Sequence, residues 1–218
     1  MQSALIFDMD GTLFQTNTIL EISLADTFER LSELGHWPAG VGAPIEQYRQ
    51  IMGVPLPVVW ETLLPEHGLE IREFADKYFL ERLITNIRDG KGALYPNVEE
   101  VFRHFKLEGY RLYIASNGLT DYLQAIVAQY GLDRWIDGTF SIQQIQSMNK
   151  TDLVAFIKEQ YRIENAAVVG DRLSDIRAAQ GNGFLSVGCR FDFAQEEELA
   201  QADVVVDDLL ELITIMKR

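Results

Sequence analysis

Five short apolar runs, each closing on residues that favour turns, govern what this chain can fold into. They are ALIFDMD (4–10), RLYIAS (111–116), AAVVGD (166–171), FLSVG (184–188) and ADVVVDD (202–208), with GTFSI (138–142) as a weaker sixth at a sheet edge. Runs of this kind suit strands buried on both faces, as in a parallel sheet covered by helices above and below. Helical patterns fill the spaces between them. Asn97 opens one as its cap, with Glu99 and Glu100 in the first turn, Val98, Val101, Phe102 and Phe105 on the apolar face, and Gly109 as the stop. Residues 119–130 and 150–161 follow, then a helix capped by Ser174 and running to Gln180; Leu209, Leu212, Ile213 and Met216 mark a last one. Strands alternating with helices predict an α/β fold on a doubly wound, mostly parallel sheet.

One stretch breaks the alternation. Residues 15–92 carry helical patterns and no strand pattern. Thr18 and Glu21 match a capping box ahead of Leu24, Phe28, Leu31 and Leu34, Gly35 stops that helix, and 45–52, 56–64 and 71–87 read as three more. That is too much chain for one crossover helix. The expectation is an inserted α-helical domain, residues 15–92, set into an α/β core of residues 1–14 and 93–218, with RDGKGALYP as the return linker. A chain of 218 residues accommodates one such core with one insert.

A buried strand that ends in charge needs a use for it. In an open parallel sheet, ligands bind beyond the carboxyl ends of the strands. There this chain places Asp8 and Asp10 followed by Gly11 and Thr12, then Ser116 and Asn117, then Asp171 with Asp175 four residues on; Lys150 opens the helix before that last strand. Four carboxylates in one crevice require a cation, and oxygen donors without nitrogen or sulfur point to Mg²⁺. Mg²⁺ keeps waters and takes a phosphate oxygen, so the same set implies a phosphate-handling enzyme in which a carboxylate can attack phosphorus. The formal net charge of −14 repels nucleic-acid backbones and anionic membranes, and an anionic substrate needs a metal or local cations. No apolar run reaches the ~18 residues of a membrane span. Met1-Gln2-Ser3 lacks a basic leader region and the single cysteine, Cys189, suits a reducing compartment, so a cytoplasmic protein is expected.

DMDGT (8–12) after an apolar strand, SN (116–117), Lys150 and GDRLSD (170–175) resemble, in that order, the four motifs of the haloacid dehalogenase-like hydrolases. The resemblance covers nearly the whole chain. It includes the helical insert, which is similar to the small cap of the phosphoglycolate phosphatase and β-phosphoglucomutase branch. It implies a Rossmann-like core and a Mg²⁺-dependent phosphatase that hydrolyses a small phosphorylated metabolite through a phosphoaspartate. Asp8 would be the nucleophile. Asp10 would protonate the leaving alkoxide and then deprotonate the hydrolytic water. The metal would be held by Asp8, the main-chain carbonyl of Asp10, Asp171 and, through water, Asp175. Ser116 and Asn117 would donate to the phosphoryl oxygens, Lys150 would orient Asp8 and neutralise charge beside the phosphate, and Gly11 and Thr12 would shape the phosphate loop. Residues i and i+2 of a strand share one side, so Asp8 and Asp10 are expected to face one phosphoryl group in different protonation states.

The cap is expected to close over the site and read the leaving group, with Arg49 and Tyr48 as candidate contacts and Trp60 and His36 behind them. Partners beyond the metabolite are not expected, and the chain reads as a monomer or weak homodimer. Arg172 reads as a surface ion pair, and Trp37, Trp60 and Trp135 as packing residues. A sugar-phosphate mutase is the nearest alternative; Gln15 and Leu20 stand where mutases of the branch often carry Asp and His, which weakens it. A non-catalytic phosphometabolite-binding protein is a third reading, opposed by the chemically intact motif positions.

Overall fold

The computed structural model describes residues 3–51, 56–192 and 194–216. The apolar runs form six parallel strands, β1 (Ser3–Phe7), β2 (Arg111–Ser116), β3 (Gly138–Ser141), β4 (Asn165–Gly170), β5 (Leu185–Cys189) and β6 (Val204–Val206), in the order β3-β2-β1-β4-β5-β6. The weak run is an edge strand, as its marginal pattern suggests. β1 lies inside the sheet with β2 on one flank and β4 on the other. Strand order reverses there, so the carboxyl ends of β1 and β4 flank a crevice.

The chain divides into two compact units, Met1–Thr16 with Ala93–Arg218, and Asn17–Gly92. Gln15 and Thr16, expected in the insert, belong to the first unit. The Gln15 N–H donates to the Ala93 carbonyl at 2.9 Å and its side-chain amide to the Leu94 carbonyl at 2.7 Å, so backbone pairing carries the chain two residues past the expected boundary.

The second unit holds α1 (Asn17–Glu33), α2 (Ile45–Gln50), α3 (Leu56–Leu63) and α4 (Leu69–Arg88). Thr18 lies inside α1, one residue past its start, and is not its cap. The predicted end of the second helix at Met52 lies outside the described residues. Asp26 of α1 accepts from Arg82 at 2.9 Å and from the buried Asn86 of α4 at 2.8 Å, a charge-assisted clamp between the two long helices. Trp60 is buried with its indole N–H on Asp76 at 2.8 Å, and Trp37 meets Phe28 edge-on at 4.6 Å, both packing roles.

The first unit adds α5 (Val98–Leu107), α6 (Thr120–Gln129), α7 (Lys150–Tyr161), α8 (Leu173–Asn182) and the one-turn helices α9 (Glu196–Leu199) and α10 (Leu212–Ile215). Ile6, Tyr113, Ala115 and Val168 pack with Leu153, Val154 and Ile157 of α7 and Ala178 and Ala179 of α8 in one buried cluster. Phe7, the next residue along β1, sets its ring 5.1 Å from Phe102 of α5. Successive strand residues thus bury on opposite faces, which is why the runs show no polar alternation. Two expected side-chain caps are not made. Asn97 sits at φ 66° and gives its amide to both carboxylate oxygens of Asp208 at 3.0 Å, leaving no side-chain cap on α5. Ser174 lies inside α8; the cap position is Arg172, whose N–H donates to Asp175 at 3.1 Å. Among the described residues no helix is long and apolar enough to cross a membrane.

Candidate active site

β1 ends at Phe7, so the two acids sit in the loop beyond it rather than on the strand. The Asp8 N–H still donates to the Val169 carbonyl at 2.8 Å, continuing the pairing with β4 by one residue. The chain then curls. The Met9 carbonyl accepts from the amides of Thr12, Leu13 and Phe14 at 3.4, 3.0 and 2.9 Å, and Gly11 turns at φ 72°, where a side chain is disfavoured. The expected i, i+2 alignment of Asp8 and Asp10 on one strand face is therefore replaced by a tight loop that holds each acid separately.

Asp8 Oδ1 accepts from the Met9 N–H at 2.8 Å and pairs with the Lys150 ammonium at 2.7 Å. Lys150 also contacts Asp175 Oδ1. All three side chains are buried. Asn149 caps α7 by accepting from the Thr151 N–H at 2.8 Å, which fixes Lys150 at the first helical position pointing inward. Asp8, Asp171 and Asp175 each bring one carboxylate oxygen within 4.8 Å of the other two. Asp175 stands in the first turn of α8 and spends its second oxygen on the Arg172 N–H, so its cap role and its place in the cluster coincide. Gly170 is obligatory behind it, since a Cβ there would overlap the Asp175 carboxyl.

One ammonium against three buried carboxylates leaves two negative charges uncompensated if all are ionised. The acids respond as buried like charges do. Burial, with Asp8 and Asp175 nearby, pushes Asp171 up to about 8. Burial and Asp8, against the pull of Lys150, push Asp175 up to about 6. Burial alone would lower the Lys150 ammonium, but Asp175 and Asp8 outweigh it and raise it. A charge deficit faced only by carboxylate oxygens suits a hard divalent cation, so the residues present fit Mg²⁺. Asp10 is not one of the three carboxylates of this cluster.

Asp10 Oδ1 accepts two hydroxyls, Thr16 Oγ1 at 2.6 Å and Tyr122 Oη at 2.5 Å. Burial, then the charge of Asp8, raises the Asp10 carboxyl above its usual range, while the two hydroxyls and Lys150 pull it back. Burial and the facing Asp10 hold the Tyr122 phenol well above its own range, so it stays a donor. Neither Thr16 nor Tyr122 is marked by the sequence motifs. The one available signal for Tyr122 is a hydroxyl on the apolar face of α6, in the first turn after SN.

Thr12, expected at the phosphate, is fully buried and gives its hydroxyl to Asp171 at 3.2 Å; it braces an acid of the cluster. Ser116 ends β2 almost fully buried, and its oxygen accepts from the Gly118 N–H at 3.0 Å, which leaves its own proton available. Asn117 is exposed. Arg172 pairs with Glu198 at 3.0 Å, the surface bridge the sequence suggests. Of the helical-unit candidates, Tyr48 is buried with its ring 6.5 Å from Phe79, and Arg49 forks to Glu21 at 2.6 and 2.8 Å and reaches Glu46 at 2.7 Å. Within their own unit these are core and surface ion-pair positions. Cys189 is buried at the end of β5, where burial and the acid cluster push its thiol up, so it is not a nucleophile.

A family model described as haloacid dehalogenase-like hydrolase matches residues 2–183. Among curated proteins, a pyrophosphatase PpaX of Listeria monocytogenes is 25% identical over 220 residues, covering 99% of this chain and 96% of the relative. A phosphoglycolate phosphatase of Haemophilus influenzae is 25% identical over 221 residues, covering 96% of each. Among solved structures, CbbY of Rhodobacter sphaeroides in complex with phosphate shares the fold, with a TM-score of 0.74 at 22% identity over 97% of this chain and 96% of that one.

Proposed function

The chain belongs to the haloacid dehalogenase-like hydrolases, and from that premise we propose that it is a Mg²⁺-dependent phosphatase hydrolysing a small phosphorylated metabolite through a phosphoaspartate on Asp8. One observation carries the reading: Lys150 holds Asp8 at 2.7 Å inside a buried group of three carboxylates, while Asp10, two residues on, is held apart by two hydroxyls. The two acids thus have different environments and different tasks.

With Asp8 Oδ1 committed to Lys150 and the Met9 N–H, Oδ2 is the oxygen that attacks phosphorus. The Ser116 hydroxyl and the Asn117 amide donate to the phosphoryl oxygens. With Asp10 Oδ1 committed to Thr16 and Tyr122, its proton sits on Oδ2 and passes to the leaving oxygen as the ester P–O bond breaks. The resulting carboxylate then takes a proton from the water that attacks the phosphoaspartate, releasing phosphate and restoring Asp8. Mg²⁺, held by Asp8, Asp171 and Asp175, supplies charge neutralisation between the attacking carboxylate and the phosphoryl dianion. Selection of the leaving group falls to the helical unit Asn17–Gly92, inserted directly after Thr16. The two curated relatives, named for pyrophosphate and phosphoglycolate, support a small substrate.

The test is a phosphate-release screen over a metabolite panel with Mg²⁺. Asp8→Asn is expected to abolish turnover and the hydroxylamine-labile phosphoenzyme, and Asp10→Asn to slow both half-reactions. Full turnover by either variant refutes the assignment. Sugar 1-phosphates converted to an isomer without free phosphate would establish the mutase instead.

A further inference from the structure

A cavity of about 360 Å³ opens on the α/β unit beside the predicted phosphoryl position, between the loop before α7 and the first turns of α8. Asn117 and Lys150, both assigned to the phosphoryl group above, form one part of its wall. Ser147, Asn149, Ser174 and Arg177 form the rest that matters here. None of its lining residues is acidic, although the chain as a whole carries a formal charge of −14.

The lining offers donors. Among the described residues the side chains of Asn117, Ser147, Ser174 and Arg177 make no hydrogen bond or ion pair. The charge of Arg177 is felt at Glu198, whose Oε2 accepts from Arg172 at 3.0 Å and from the Leu173 N–H at 2.9 Å, but the two make no ion-pair contact. Asn149 spends its side-chain oxygen on the Thr151 N–H, so only its NH₂ remains, and that group can only donate. An exposed guanidinium without an ion-pair contact, with exposed or half-buried amide and hydroxyl donors around one hollow, is complementary to an anion with several oxygens. The loop that supplies Ser147 and Asn149 holds Met148 between them at φ 51°, a strained conformation for a residue with a side chain.

The geometry points to a second anion subsite centred on Arg177, which receives a phosphoryl or carboxylate group carried by the substrate a few bonds from the phosphoryl group bound at Asp8. This inference rests on the phosphatase reading for the position of that first phosphoryl group. It narrows the substrate class to metabolites with two anionic ends and predicts that esters with a neutral leaving group bind less tightly.

Calorimetric titration in excess Mg²⁺ tests it with α,ω-bisphosphonates of one to four methylenes, methylphosphonate as the single-anion reference, and phosphonocarboxylates of matching length to separate a phosphoryl from a carboxylate second group. One spacer length is expected to bind about tenfold tighter than methylphosphonate, as a charge-assisted pair with arginine allows, and Arg177→Gln to erase that ratio. Arg177→Lys should restore part of it. A ratio near one at every spacer length, or a ratio unchanged in Arg177→Gln, overturns the subsite. Binding needs no turnover, so the two readings fail separately. A chain that shows the ratio but releases no phosphate keeps the subsite and loses the hydrolase chemistry. A chain that turns over monoesters but shows no ratio keeps the chemistry and loses the subsite.

Discussion

Replacing Tyr122 with Phe removes one oxygen and no volume that packing would notice. The lost contact is short, 2.5 Å from Oη to Asp10 Oδ1, and one of only two hydroxyl bonds on that oxygen. A hydrogen bond to a charged group contributes about 1.5–3 kcal/mol. If the transition state uses all of it, the rate falls about ten- to a hundredfold, at 1.36 kcal/mol per decade. The loss should depend on the leaving group. On the proposed mechanism an alkoxide needs the Asp10 proton, whereas p-nitrophenolate departs without it. Single-turnover phosphorylation of the enzyme by an alkyl phosphate should therefore slow in Tyr122→Phe, while phosphorylation by p-nitrophenyl phosphate stays near wild type. The pH profile should move as well. Tyr122 pulls the Asp10 carboxyl down against burial and Asp8, so its removal lets Asp10 keep its proton to higher pH. The alkaline limb of kcat/KM for the alkyl ester then shifts upward. Equal slowing for both esters with an unmoved limb would make Tyr122 a packing residue, and the assignment of Asp10 as the acid would lose its structural support.

The metal-free protein should lose stability as pH rises from about 4 to 8, because Asp171 and Asp175 hold protons more tightly folded than unfolded, at about 8 and about 6. Asp171→Asn should accordingly raise the metal-free Tm at pH 8 while abolishing the gain on adding Mg²⁺. That gain in the wild type is expected near 2.7 kcal/mol at a hundredfold excess over Kd, or about 5–10 °C by differential scanning fluorimetry. A wild-type Tm indifferent to Mg²⁺ at pH 8 would argue against the three-carboxylate site. Gly170→Ala should displace Asp175 from Lys150, costing about 1–3 kcal/mol of stability and weakening the Mg²⁺-induced shift more than the fold; a variant with wild-type Mg²⁺ response would refute that packing argument.

Much of this was legible in the chain because it depends on neighbours in sequence. Apolar runs between helical patterns announce a covered parallel sheet, since a strand buried on both faces has no polar alternation to show. Acids placed just past those runs must gather at one sheet end, because every parallel strand ends on the same side. The edge strand at Gly138–Ser141 read weakly because its run, GTFS, has few strand-forming apolar residues, whereas the opposite edge, Val204–Val206, is three valines.

The remaining features depend on residues far apart in the chain. Asp10 meets Tyr122 across 112 positions and Thr12 meets Asp171 across 159. No local pattern encodes either pair. Asn97 stands at the cap position of α5, but its amide is drawn to Asp208, 111 positions away, whereas Ser174 gives way to a local pattern, Asp175 reaching back three residues to the Arg172 N–H. The motif DMDGT names the residues proposed to meet the substrate. Whether Asp8 and Asp10 lie along a strand or apart in a loop was set by the Met9 carbonyl gathering three amides once Gly11 turned. Local chemistry names the parts, and the packed chain brings them within bonding distance and so assigns each carboxylate its partner and its proton.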